Sequence, residues 1–163
     1  MFTGPSLHAR FVSHSDTEVL LEGWRRWGEA MLQKLRGMFA FALHDLQTGT
    51  LVCARDPMGK KPFVYAELSD GFAFASEIPA IRKVAGVDTR YDPAAIAALL
   101  LHNLRHIPDP HTAYRGIRRL RAGHAMIVKD GRIQRMWRYW TPKPAEGPVS
   151  ADRLRGLIED AID

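Results

Sequence analysis

The chain has 163 residues, 46% of them hydrophobic and 25% charged, with a net charge of +5. That length suits one domain with its own core, and the balance is too apolar for a disordered chain. No stretch approaches the roughly 18 apolar residues of a membrane span, and Met1 to Arg10 shows no secretory signal, so a cytoplasmic protein with no membrane partner is expected.

The single cysteine, Cys53, rules out an internal disulfide and a multi-cysteine metal site. The seven histidines form no ligand pattern, so no metal is expected in the chain. Ser15-Asp16-Thr17-Glu18 has the S-x-x-E form of a capping box, in which Ser15 is expected to accept from the N3 amide and Glu18 to reach back to the N-cap amide. Leu20, Trp24, Trp27 and Met31 follow at helical spacing, which places the tryptophans in core rather than on a ligand-stacking shelf. Gly28 is expected to kink or divide this helix and Gly37 to terminate it.

From Met38 the period changes to two. Phe39, Phe41 and Leu43 share one face, while Met38, Ala40 and Ala42 share the other. Two apolar faces predict a central strand, covered on both sides. A turn over Gln47 to Thr50 leads to a second strand, Leu51 to Ala54, returning beside the first. Asp56-Pro57-Met58-Gly59 is a tight turn, and Phe63 to Leu68 with Phe72 to Ala75 form a hairpin. A short helix is expected over Ile78 to Val84, and Asp92-Pro93 opens another through Leu101. The stretch from His111 to Arg121 looks irregular. Asp130-Gly131 is a type I′ signal between strands His124 to Val128 and Arg132 to Trp137. Three prolines and a glycine in Thr141 to Pro148 mark a linker, after which Ser150 caps a last helix bearing Leu154, Leu157, Ile158 and Ile162.

This order predicts an α+β domain with helices layered on antiparallel sheet. The basic residues between Arg115 and Arg138 alternate with Ile117, Leu120, Met126, Ile127 and Val128, as on the wet side of strands. No nucleic-acid partner is therefore expected.

Several stretches, in one order, carry a resemblance. They are Ser15 to Leu21, Gly37-Met38-Phe39-Ala40-Phe41-Ala42, and Ala54-Arg55-Asp56-Pro57-Met58-Gly59-Lys60-Lys61-Pro62. Phe74-Ala75-Ser76-Glu77-Ile78, Tyr114-Arg115-Gly116-Ile117 and Arg138-Tyr139-Trp140 follow. From about Phe11 to Trp140 the chain resembles the asparagine synthetase (glutamine-hydrolysing) family of class II glutamine amidotransferases. The resemblance implies the four-layer αββα fold of N-terminal-nucleophile hydrolases, here incomplete. It divides the chain into the C-terminal part of a glutaminase domain at 1–140, a linker at 141–149, and the start of a synthetase domain at 150–163.

In that family an N-terminal cysteine attacks glutamine, and the released ammonia passes to a synthetase domain that amidates aspartate with ATP and magnesium. Here Met1 is followed by Phe2, and neither the oxyanion-hole Asn-Gly pair nor the ATP loop is found. No catalytic residue is assigned, and the chain is expected to be an inactive fragment. The missing strands are expected to leave sheet edges through which it self-associates.

The resemblance gives Asp16 the α-ammonium of glutamine, although an anion in a first helical turn is equally explained by the helix dipole. Arg55, Asp56 and Gly59 would scaffold the pocket, with Ser76 and Glu77 in the same class. Cys53, inside an apolar strand, is expected to be structural. Two other readings stay open: a degenerate glutaminase-like binding module, or a class II amidotransferase with another acceptor.

Overall fold

The computed structural model describes residues 15–101, 106–144 and 147–162. Helix α1, Asp16–Trp27, starts at Ser15, whose Oγ accepts from the Thr17 amide at 3.2 Å. Gly28 ends it. Its φ of +51° turns the backbone out of the helix while its N–H still donates to the Trp24 carbonyl. The chain continues as a 3₁₀ turn, Gly28–Gln33. Gly37 therefore does not terminate the helix as expected: it has φ +110°, but it lies beyond Gln33, where the helical hydrogen bonds have already stopped.

Among the described residues seven strands follow: β1 Ala40–Asp45, β2 Thr50–Arg55, β3 Val64–Glu67, β4 Phe72–Ala75, β5 Arg118–Arg119, β6 His124–Lys129 and β7 Arg132–Arg138. They form two antiparallel sheets, ordered β1-β2-β6-β7 and β4-β3-β5. The pleat assigns their faces. Phe39, Phe41, Ala54 and Ala125 turn toward Met31, Leu32 and the α1 residues Leu20, Trp24 and Trp27. The opposite side of the same strands presents Ala42, Cys53, Met126 and Val128 to Phe63, Tyr65 and Phe72 of the second sheet. Beyond that sheet, Val64 and Ala66 pack on Ile81, whose helix α2 spans Ile78–Ile81. The order of layers is helix, sheet, sheet, helix, and the fold is α+β. Each fully buried Leu, Ile or Met in these interfaces contributes about 1.5–3 kcal/mol.

Two expectations are corrected. Among the described strands β1 is not central: it pairs there only with β2 and stands first in its sheet. Its two apolar faces are indeed both covered, but cover above and below says nothing about hydrogen-bonding neighbours at the side. The stretch from His111 to Arg121 is not wholly irregular, because Arg118–Arg119 pairs with Val64–Tyr65. Two residues are too few to show a period.

Helix α3, Pro93–Leu101, begins where Asp92 accepts from the amides of Ala94 and Ala95. Asp130 and Gly131, at φ +50° and +70°, make the turn between β6 and β7. Helix α4, Ala151–Ile162, is capped by Ser150, which accepts from Arg153 N–H, and its residues 151–161 are exposed. Among the described residues no helix is long and apolar enough to cross a membrane.

Candidate functional site

Strand β2 ends in Arg55, and Asp56 opens the loop toward β3. The Asp56 side chain is almost fully buried, and its carboxylate accepts three backbone N–H groups: Met58 and Lys60 at 3.0 Å, Lys61 at 2.9 Å. Its carbonyl accepts from Gly59 at 3.0 Å and from Gly123 at 2.9 Å, which ties the loop to β6. A carboxylate with this many donors organises a turn around itself.

Arg55 holds the same loop from the other side. Its guanidinium donates to the carbonyls of Lys61 at 2.8 Å, Gly59 at 2.7 Å and Leu120 at 2.7 Å, and to Asp109 Oδ2 at 2.7 Å. Only a planar fork reaches four acceptors at once. Gly59 is required twice over. Its φ is +64°, and a Cβ there would lie 3.1 Å from both Ala122 Cβ and Arg55 Cζ. Tyr139 closes the arrangement, donating from its hydroxyl to the Arg55 carbonyl at 2.8 Å. Burial, with the Asp56 carboxylate nearby, pushes that phenol well above its ordinary pKa.

This loop forms one wall of a cleft of about 510 Å3, whose lining includes Leu32, Leu35, Met38, Asp56, Lys60 and Trp140. Of the expected site residues only Asp56 lines it. Asp16 lies at the start of α1, exposed, and its carboxylate makes no hydrogen bond or ion pair with a described residue. Ser76 and Glu77 are exposed at the β4–α2 junction, where Glu77 occupies the N-cap position without a capping hydrogen bond from its side chain. The structure thus joins Arg55, Asp56 and Gly59 into one unit and leaves Asp16, Ser76 and Glu77 as separate surface positions. Asp109 and Gly123 belong to that unit and were missed. Nothing local in the sequence marks them, since they reach Arg55 and Asp56 across more than 50 residues.

Cys53 is fully buried between the sheets, where burial alone pushes its thiol up to about 12. At neutral pH it is a packed thiol with no access to a substrate. A cleft of about 810 Å3 runs along α3 between Tyr91 and Leu101, and its lining among the described residues is nearly all apolar.

Residues 5–140 match the family described as the glutamine amidotransferase domain. The chain belongs to that family. This amidotransferase domain is 35% identical over 159 residues to asparagine synthetase (glutamine-hydrolysing) 3 of Bacillus subtilis. It is 38% identical over 165 residues to a protein of Mycobacterium bovis named as an asparagine synthetase (glutamine-hydrolysing). Each alignment takes in 94% of this chain and 25% of the relative. An amidase of Gibberella zeae is 28% identical over 131 residues, 80% of this chain and 19% of that protein. The chain spans about a quarter of the length of the asparagine synthetase relatives it matches. Glutamine is the substrate of the parent family, and the two-sheet architecture is that of its N-terminal-nucleophile fold.

Proposed function

We infer that this chain is the glutamine-handling scaffold of an enzyme that moves ammonia from glutamine to a carboxylate acceptor, as in glutamine-hydrolysing asparagine synthetases. The family match over residues 5–140 carries this reading. Asp16 receives the α-ammonium of glutamine, because an exposed carboxylate with no described partner is available to a substrate cation. Arg55, Asp56 and Gly59 keep the loop between β2 and β3 in one shape without touching the reacting bond, while Ser76 and Glu77 stand apart from it at the β4–α2 junction. The thiol of Cys53 takes no part.

Residues 141–149 connect this scaffold to the segment 150–163, whose helix α4 belongs to the synthetase part. The exposed Leu154, Leu157 and Ile158 support that assignment, since an apolar face of this kind requires a neighbour. ATP and magnesium serve the synthetase step.

The test is a hybrid. Residues 11–140 replace the matching segment of the Bacillus subtilis relative, and amide formation is measured with glutamine and with ammonia. Glutamine-driven turnover is expected. A hybrid that uses ammonia as the parent does but never glutamine would contradict the reading.

A further inference from the structure

A second constellation gathers at the mouth between the two sheets. A cleft of about 350 Å3 is lined there by Arg118, Arg119, Arg121, His124, Trp137 and Arg138, together with Tyr65. Strand register brings these residues together. Arg118 pairs with Tyr65 in one sheet, His124 pairs with Arg138 in the other, and residues 120–123 connect β5 to β6. Burial raises the pKa of the Tyr65 phenol, with the Glu67 carboxylate adding to the rise, while Arg118 and Arg121 pull it back.

No Asp or Glu lines this cleft. Arg119 is committed, donating to the carbonyls of Ile107 and His111 at 2.9 Å. The guanidinium groups of Arg118, Arg121 and Arg138 make no hydrogen bond or ion pair with any described residue. Three unpaired guanidiniums around one concavity repel one another, and an anion seated among them relieves that repulsion. Farther along β7 the arginines are neutralised or tied down. Arg132 donates to the carbonyls of Leu68 and Ser69, and Arg135 pairs with Glu29 while lying over the Trp137 ring. Along β7 the free arginines therefore end at the cleft.

We propose that this cleft binds a small molecule carrying an oligophosphate group, at a site separate from glutamine use. Guanidinium forks match phosphate oxygens, and three of them call for about three negative charges, more than one carboxylate supplies. The volume falls within the range of small-molecule sites.

The probe is sodium tripolyphosphate, titrated calorimetrically into the 163-residue chain at two salt concentrations. Saturable one-to-one binding is expected, tighter than that of inorganic phosphate. Arg121→Gln and Arg138→Gln should each weaken it about tenfold, as for the loss of one charge-assisted contact. Arg121→Lys should keep most of it. Arg132→Gln, outside the cleft, controls for general charge and should change little, with circular dichroism verifying that every variant is folded. The proposal is overturned by absent saturable binding to the folded chain, or by equal weakening in Arg132→Gln. It is also overturned if a single-stranded oligonucleotide binds through the same arginines more tightly than tripolyphosphate.

Discussion

The guanidinium of Arg55 meets the carboxylate of Asp109 at 2.7 Å across 54 positions of sequence, and it is the same guanidinium that holds the carbonyls of Gly59, Lys61 and Leu120. Arg55 is 9% exposed in its side chain and Asp109 31%, so the ion pair is partly screened while the carbonyl contacts are not. Arg55→Lys keeps the charge but loses the fork, and should cost about 2–4 kcal/mol. Asp109→Asn should cost only about 1 kcal/mol. Urea unfolding of both variants measures the difference; equal costs would place the stabilisation in the ion pair rather than in the carbonyl clamp.

Gly59 and Gly49 share a left-handed backbone, with φ of +64° and +68°, but differ in surroundings. A Cβ at Gly49 meets nothing within 4 Å, whereas at Gly59 it meets Ala122 and Arg55 at 3.1 Å. Gly49→Ala should therefore cost about 1 kcal/mol from backbone strain alone. Gly59→Ala should add about 1–3 kcal/mol of overpacking. Thermal unfolding that ranks the two variants alike would remove the packing argument for Gly59.

The sequence makes local chemistry legible. Asp130-Gly131 declares its turn because only a few residues accept positive φ, and Asp92 declares a helix start because its side chain serves the next amides. The Arg55–Asp56 turn and the two tryptophans of α1 are legible for the same reason. What the sequence leaves open is lateral and long-range. Alternation in β1 shows that both its faces are covered, but cannot say which strand lies beside it. Asp109, Leu120 and Gly123 meet Arg55 and Asp56 only after the sheets assemble, so no spacing rule marks them. The unpaired arginines of the β5–β6 mouth are invisible in sequence because Arg119, Arg132 and Arg135, which look the same there, turn out to be engaged.

Cys53 should be unreactive in the folded chain. Its thiol is raised from an ordinary 9.0 to about 12 by burial, so the neutral form is favoured in the native state. For a raised acid the stabilisation is complete below pH 9 and is lost as pH rises from 9 toward 12. At pH 8 a disulfide-exchange reagent should label no thiol until denaturant is added. The chain should also release no ammonia from glutamine above the buffer rate. Rapid native labelling, or ammonia release abolished by Cys53→Ala, would show that the thiol is a working nucleophile.

Strand β1 presents its outer edge without a partner among the described strands, and Met38 and Leu46 at its two ends are exposed. Such an edge templates pairing with another chain. Sedimentation velocity on the purified chain should show concentration-dependent dimers or larger species, and a single monomeric boundary across a tenfold concentration range would contradict this.

The central claim is that Asp16 serves glutamine rather than the helix it begins. Asp16→Asn removes the charge and keeps both shape and helix-start preference. In the hybrid with the Bacillus subtilis relative, kcat/KM for glutamine should fall by about 1.5–3 kcal/mol in transition-state terms, roughly ten- to a hundredfold. Turnover with ammonia should be unchanged, because ammonia presents no α-ammonium to be held. An equal fall with both nitrogen sources, or no fall with either, would contradict the account.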